Sequence, residues 1–152
     1  MLASNPSNPT SVSEKFPTLY HLFIEAVKLF SSRQLASTSR LGTAGKQIAK
    51  EATFHFELYR VLHGLLGGQL FPTPEFGKWT NHSLDLMVPG VGWGIECLHE
   101  GRKLGEHAER FAQGGAYHKW LGIDIQDFIL VDFRVSTPRF VHHGTYLRDQ
   151  VW

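Results

Sequence analysis

An α/β domain, with helices packed on a mixed sheet, is the fold class that this sequence predicts. Two stretches of helical spacing come first, then two apolar runs around a Pro/Gly turn, then a helix that leads into a near-continuous apolar run. Helical and extended segments in that order fit an α/β or α+β arrangement.

Residues 1–13, rich in Ser, Asn and Pro, read as a disordered tail, and residues 14–152 as a single domain. The first helix is expected from about Phe16 or Pro17 to Leu35, because Leu19, Leu22, Phe23, Ala26, Val27 and Phe30 repeat at helical spacing. A small-residue loop carrying Arg40 follows, with Lys46 and Lys50 just beyond. The second helix is expected from about Ala44 to Leu66, with Ala52, Phe56, Tyr59, Leu62 or His63, and Leu66 on its inner face. Gly67 and Gly68 end it, since glycine accepts the left-handed cap. Residues 69–76 start a short strand that two prolines hold at an edge.

Residues 82–98 read as a β-hairpin around Pro89-Gly90-Val91-Gly92. A third helix is expected over about Arg102 to Gln113, with Leu104, Ala108 and Phe111 inward and Lys103, His107 and Arg110 on a neighbouring polar face. Gly114 and Gly115 stop it. Residues 126–133 read as an apolar strand of the kind found in the middle of a covered sheet. A weak last strand is expected near Arg139–Tyr146.

Composition narrows the function classes. The net charge of +1 gives no global basic field, so nucleic-acid binding would need a local patch. The single cysteine, Cys97, excludes an internal disulfide framework and a multi-cysteine zinc site. No apolar run approaches the roughly 20 residues of a membrane span, and no signal-peptide pattern opens the chain. Nine histidines form no HExxH pattern, and His142-His143 is a lone adjacent pair, so zinc is not indicated.

The hairpin carries the chemistry. With its turn centred between Gly90 and Val91, Asp85 is expected directly opposite Glu96. Their Cβ atoms would then be roughly 5 Å apart on one face, with Leu84, Leu86 and Val88 on the other. Two carboxylates side by side repel, and a divalent cation with a taste for hard oxygen ligands is the simplest compensation.

The run WGIECLHEGRKLGEHAERFAQGGAYHKWL, followed by DFILVDFR, resembles the C-terminal nuclease-like domain of Crinkler effectors of oomycetes and fungi. The upstream GKQIAKEATFHFELYR and the PEFG of residues 74–77 fit the same pattern, so the resemblance covers roughly residues 35–135. That domain belongs to the PD-(D/E)XK, or restriction-endonuclease-like, superfamily. The resemblance implies an αβββαβ core with a mixed central sheet flanked by helices, here with an extra N-terminal helix. It implies an acidic helix residue, Glu57 with Glu51 as a rival, and then Asp85 and Glu96 on successive strands. Glu57 also lies three residues before Arg60 and has a plainer reading as its partner.

The superfamily lysine is expected two residues after the strand glutamate, where this chain has Leu98. Lys103, His107 and Arg110 are the candidates to replace it, Lys103 as a migrated lysine and His107 as acid or base. The implied chemistry is phosphodiester hydrolysis with Mg²⁺ or Mn²⁺ on Asp85, Glu96 and the Cys97 carbonyl. Arg40, Lys46, Lys50, Arg102 and Arg110 are candidate DNA contacts, with Arg33 beside them. The alternative is an inactive nuclease-like domain that binds DNA, chromatin or a host protein. The resemblance further implies action in the host nucleus or another intracellular site, and allows a homodimer.

Overall fold

The computed structural model describes residues 9–36, 50–67, 72–77 and 82–134. These residues group into two compact units. One is helical and contains residues up to Thr73 together with Val88–Val91; the other holds Pro74–Met87 and everything from Gly92 onward.

In the helical unit, α1 covers Pro9–Lys15, α2 Leu19–Lys28, α3 Ser32–Ala36 and α4 Lys50–Leu65. Helix α1 starts inside the segment expected to be disordered. Proline suits the first helical position, and Val12 and Phe16 are buried, which anchors this turn against the entropy cost of ordering it. Thr18 caps α2, its hydroxyl accepting from the His21 N–H.

The single first helix expected to reach Leu35 is two helices. The chain leaves helical geometry at Leu29, and α4 supplies the missing hydrogen bonds. The Glu57 carboxylate accepts from the Ser31 N–H at 2.6 Å, and the Arg60 guanidinium donates to the Leu29 carbonyl. Exposed ends of both helices are thereby satisfied by side chains that periodicity does not reveal.

Helix α4 also turns a different face inward. Thr53, Glu57, Leu58, Val61, Leu62 and Leu66 are buried, while Phe56, expected inside, is 56% exposed. The glycine stop behaves as expected: Gly67 has φ of 73° and its N–H bonds the Gly64 carbonyl. No helix among the described residues is long and apolar enough to cross a membrane.

In the second unit the strands are β1 (Thr73–Phe76), β2 (Leu84–Val88), β3 (Trp93–His99) and β4 (Asp127–Phe133), with α5 (Leu104–Glu109) between β3 and β4. They form one four-stranded mixed sheet in the order β1-β2-β3-β4. The tight turn between β2 and β3, with Gly90 and Gly92 at positive φ, reverses the chain, whereas β3 and β4 run parallel and need the crossover through α5. Strand β3 is buried from Trp93 to Leu98. Strand β4 ends the order, and only its Val131 is buried. It is therefore a border strand among the described residues and not the covered centre that its apolar run suggests.

The core of this unit is aromatic. Leu84, Met87, Phe111, Tyr117 and Ile125 are buried together, with Phe76, Trp120, Phe128 and Leu130 packed around them. Phe111 stacks on Phe128, with ring centres 3.9 Å apart, and Tyr117 stacks on Trp120 at 5.4 Å. The weak strand expected at Arg139–Tyr146 and the pair His142-His143 lie outside the described residues.

Candidate functional site

Glu96 is the centre of the site. It lies in the middle of β3 and is 1% exposed, so its charge cannot be left to water. Two groups from the α5 segment meet it. His107 Nδ1 and Arg110 Nη1 each lie 2.7 Å from the same oxygen, Oε1. The helical spacing of His107 and Arg110 places both on the side that faces β3. Of the three residues weighed for the place of the missing lysine, His107 and Arg110 contact Glu96. Leu98 is buried and pairs with Asp132 of β4.

Lys103 goes elsewhere. It has φ of 58°, caps α5 without a side-chain bond, and its ammonium reaches Glu106 at 3.2 Å on the surface. Arg102 is exposed. Glu57 belongs to the helical unit, where Arg60 grips it with two nitrogens at 2.8 and 2.9 Å. The plainer reading of the Glu57–Arg60 spacing is the contact seen. Lys50 opens α4, but its side chain and that of Glu51 lie outside the described residues, as do Arg40 and Lys46.

Asp85 is half-buried, and its Oδ2 accepts from the Cys97 N–H at 2.7 Å. The Asp85 N–H in turn bonds the Glu96 carboxylate. The two acids are neighbours, but not in the expected register. Leu84 fills the space above Gly94, and Gly94 shares a face with Glu96 by strand alternation. Leu84 therefore packs on the Glu96 face, and the Asp85 carboxylate turns toward Cys97, within 4.8 Å of its sulfur.

Tyr117 was not singled out by sequence as more than packing. It is fully buried. Its hydroxyl donates to the Ser83 carbonyl at 2.6 Å, accepts from Arg110 Nη1 at 3.3 Å, and sits 3.4 Å from both Glu96 oxygens. The signal that points to it is the tight return of the chain after α5. The Tyr117 N–H bonds the Arg110 carbonyl at 2.7 Å, and a side chain at Gly115 would collide with the carbonyls of Glu109 and Arg110.

A second polar knot stabilises the exit from β3. Asp132 accepts from the Gly101 N–H at 2.8 Å and pairs with Arg134, next to the left-handed Glu100 and Gly101. These residues shape the loop that delivers α5.

The electrostatics follow from burial. The Glu96 carboxyl is pushed up to about 7, first by burial and then by the Asp85 charge, with Arg110, the Asp85 N–H and Tyr117 pulling the other way. Burial and the neighbouring Arg110 hold His107 below its usual range. Burial, followed by the charge of Glu96, pushes the Tyr117 phenol up to about 12.

Folded Glu96 binds its proton more tightly than the ordinary value of 4.5. Its contribution to stability is therefore complete below the unfolded value and is lost as pH rises through about 7. The shift corresponds to about 3 kcal/mol. In urea unfolding at about pH 5 and about pH 8, Glu96→Gln is expected to flatten this fall. A variant with the parent's full pH slope would place the responsible proton elsewhere.

Asp85, Glu96 and the Cys97 carbonyl are hard oxygen donors of the kind a divalent ion takes. The arrangement does not fit one, however. Glu96 Oε1 already receives two nitrogens, the residue is sealed from water, and Asp85 leans toward a thiol. No family model matches the sequence, and no curated protein or solved structure matches it either.

Proposed function

We propose that this chain carries a nuclease-like domain that contacts DNA through its phosphates and does not require metal-dependent cleavage to act. The observation that carries this reading is the meeting of Glu96 with His107 and Arg110, from β3 and the α5 segment, with Asp85 of β2 as a charged neighbour. The sequence resemblance implies nuclease acids at Asp85 and Glu96, with His107 and Arg110 among the candidates for the missing lysine's role. The order α4-β1-β2-β3-α5-β4 agrees with the αβββαβ core that it implies. Leu98 in place of the lysine, and a Glu96 already neutralised by the chain's own cation, favour binding over cutting. Among the candidate DNA contacts, Arg102 in the loop before α5 is exposed and is the one offered to a phosphate backbone.

Duplex binding measured at two salt concentrations tests this. The expected result is an affinity that falls steeply with salt and DNA that stays intact with Mg²⁺ or Mn²⁺. Binding that ignores salt, or no binding, would favour a partner protein instead.

The same assay tests the hydrolysis that the resemblance implies. EDTA-sensitive cleavage with Mg²⁺ or Mn²⁺ that Asp85→Ala removes would replace the binding reading with a cutting one.

A further inference from the structure

We infer that Arg110, fixed by Tyr117, is a built-in counter-ion of Glu96 that keeps divalent cations off this carboxylate. The inference rests on the reading of Glu96 as the acid of the centre and not on DNA binding. Failure of the duplex assay above would leave it standing.

Four features hold the guanidinium. Its Nη1 lies 2.7 Å from Glu96 Oε1 and 3.3 Å from the Tyr117 hydroxyl. Its Nη2 lies 3.6 Å from Glu106. The backbone of the same residue is tied to Tyr117 by a 2.7 Å hydrogen bond across a turn that needs Gly115. The Tyr117 ring is itself wedged against Phe111 and Trp120. The shortest contact of the phenol is to the Ser83 carbonyl at 2.6 Å, and the same oxygen accepts from Arg110 Nη1.

The choice of arginine matters chemically. A guanidinium stays charged at every accessible pH, whereas a lysine can lose its proton on burial. The counter-charge at Glu96 is therefore permanent. A metal ion would have to dislodge Arg110 and leave that cation half-buried, with Glu106 as its remaining carboxylate, which opposes metal entry twice over. His107 on the same oxygen fills a further direction of approach. Asp85, the other acid near Glu96, has its Oδ2 on the Cys97 N–H.

The test uses Mn²⁺ alone, read as paramagnetic broadening of the Ile95, Glu96 and Cys97 amide signals of the whole chain. The parent is expected to keep these signals sharp up to about 1 mM Mn²⁺, and Arg110→Gln to lose them at concentrations at least about tenfold lower. Broadening of the parent at the same concentration as the variant would overturn the inference. So would a folded Arg110→Gln whose signals stay sharp. If Arg110→Gln does not fold, Tyr117→Phe serves. It keeps the ring and the guanidinium but removes the acceptor, and is expected to admit Mn²⁺ at lower concentration than the parent. A Tyr117→Phe protein identical to the parent would then overturn it.

Discussion

Arg110→Met is expected to destabilise the chain by about 3–5 kcal/mol at about pH 8, the usual cost of removing one partner of a buried ion pair. The long apolar side chain keeps much of the volume, so the loss isolates the charge. Glu96, in a site that is 1% exposed and beside the Asp85 charge, would lose the cation that favours its ionised form. The pH dependence identifies the cause. Without Arg110 the carboxyl takes up a proton more readily, since the guanidinium is what lowers its value. The deficit is therefore largest above neutrality and shrinks as pH falls toward 5. Urea unfolding of parent and variant across that range measures it. A deficit that does not change with pH would mean that Arg110 stabilises by packing and not through Glu96.

Tyr117→Ala is expected to cost a similar amount, about 3–5 kcal/mol, as for other large buried aromatics. The ring is fully buried and touches Phe111, Trp120 and the Arg110 side chain. Tyr117→Phe separates the two contributions. It keeps the ring contacts and removes only the hydroxyl that joins Ser83, Arg110 and Glu96, at an expected cost of about 1–3 kcal/mol for the acceptors and donor left behind. Equal losses in the two variants would show that the hydroxyl carries most of the effect. A silent Tyr117→Phe would show that the ring carries it all.

Much of the sheet unit was legible because its signals are local. The Pro/Gly turn, the apolar runs of β2, β3 and β4, and the glycine stop after α4 each depend on residues adjacent in sequence. The grouping of His107 with Arg110 was legible for the same reason, since helical spacing brings them to one side. What could not be read is what non-local contacts decide. The break after Lys28 depends on Glu57 and Arg60 capturing Ser31 and Leu29 from another helix. The face taken by Leu84 is set by its contact with Gly94 of the next strand. The inward face of α4 shifted for a related reason, with Leu62 and Leu66 buried as expected. Glu57 is buried because Arg60 and Ser31 satisfy it, and Phe56 is displaced outward. Lys103 illustrates the limit of spacing. It shares the expected helical face, but its left-handed backbone at the start of α5 sends the ammonium to Glu106.

The parallel pairing of β3 with β4 joins Trp93 to Asp127 and His99 to Phe133. Every rung of that ladder spans the whole crossover, including α5 and the aromatic turn after it. During synthesis the most buried strand of the sheet must therefore wait, with one edge unmatched, until the last described strand has left the ribosome. The charged and aromatic residues of the crossover are thus also the first cover available to that waiting strand.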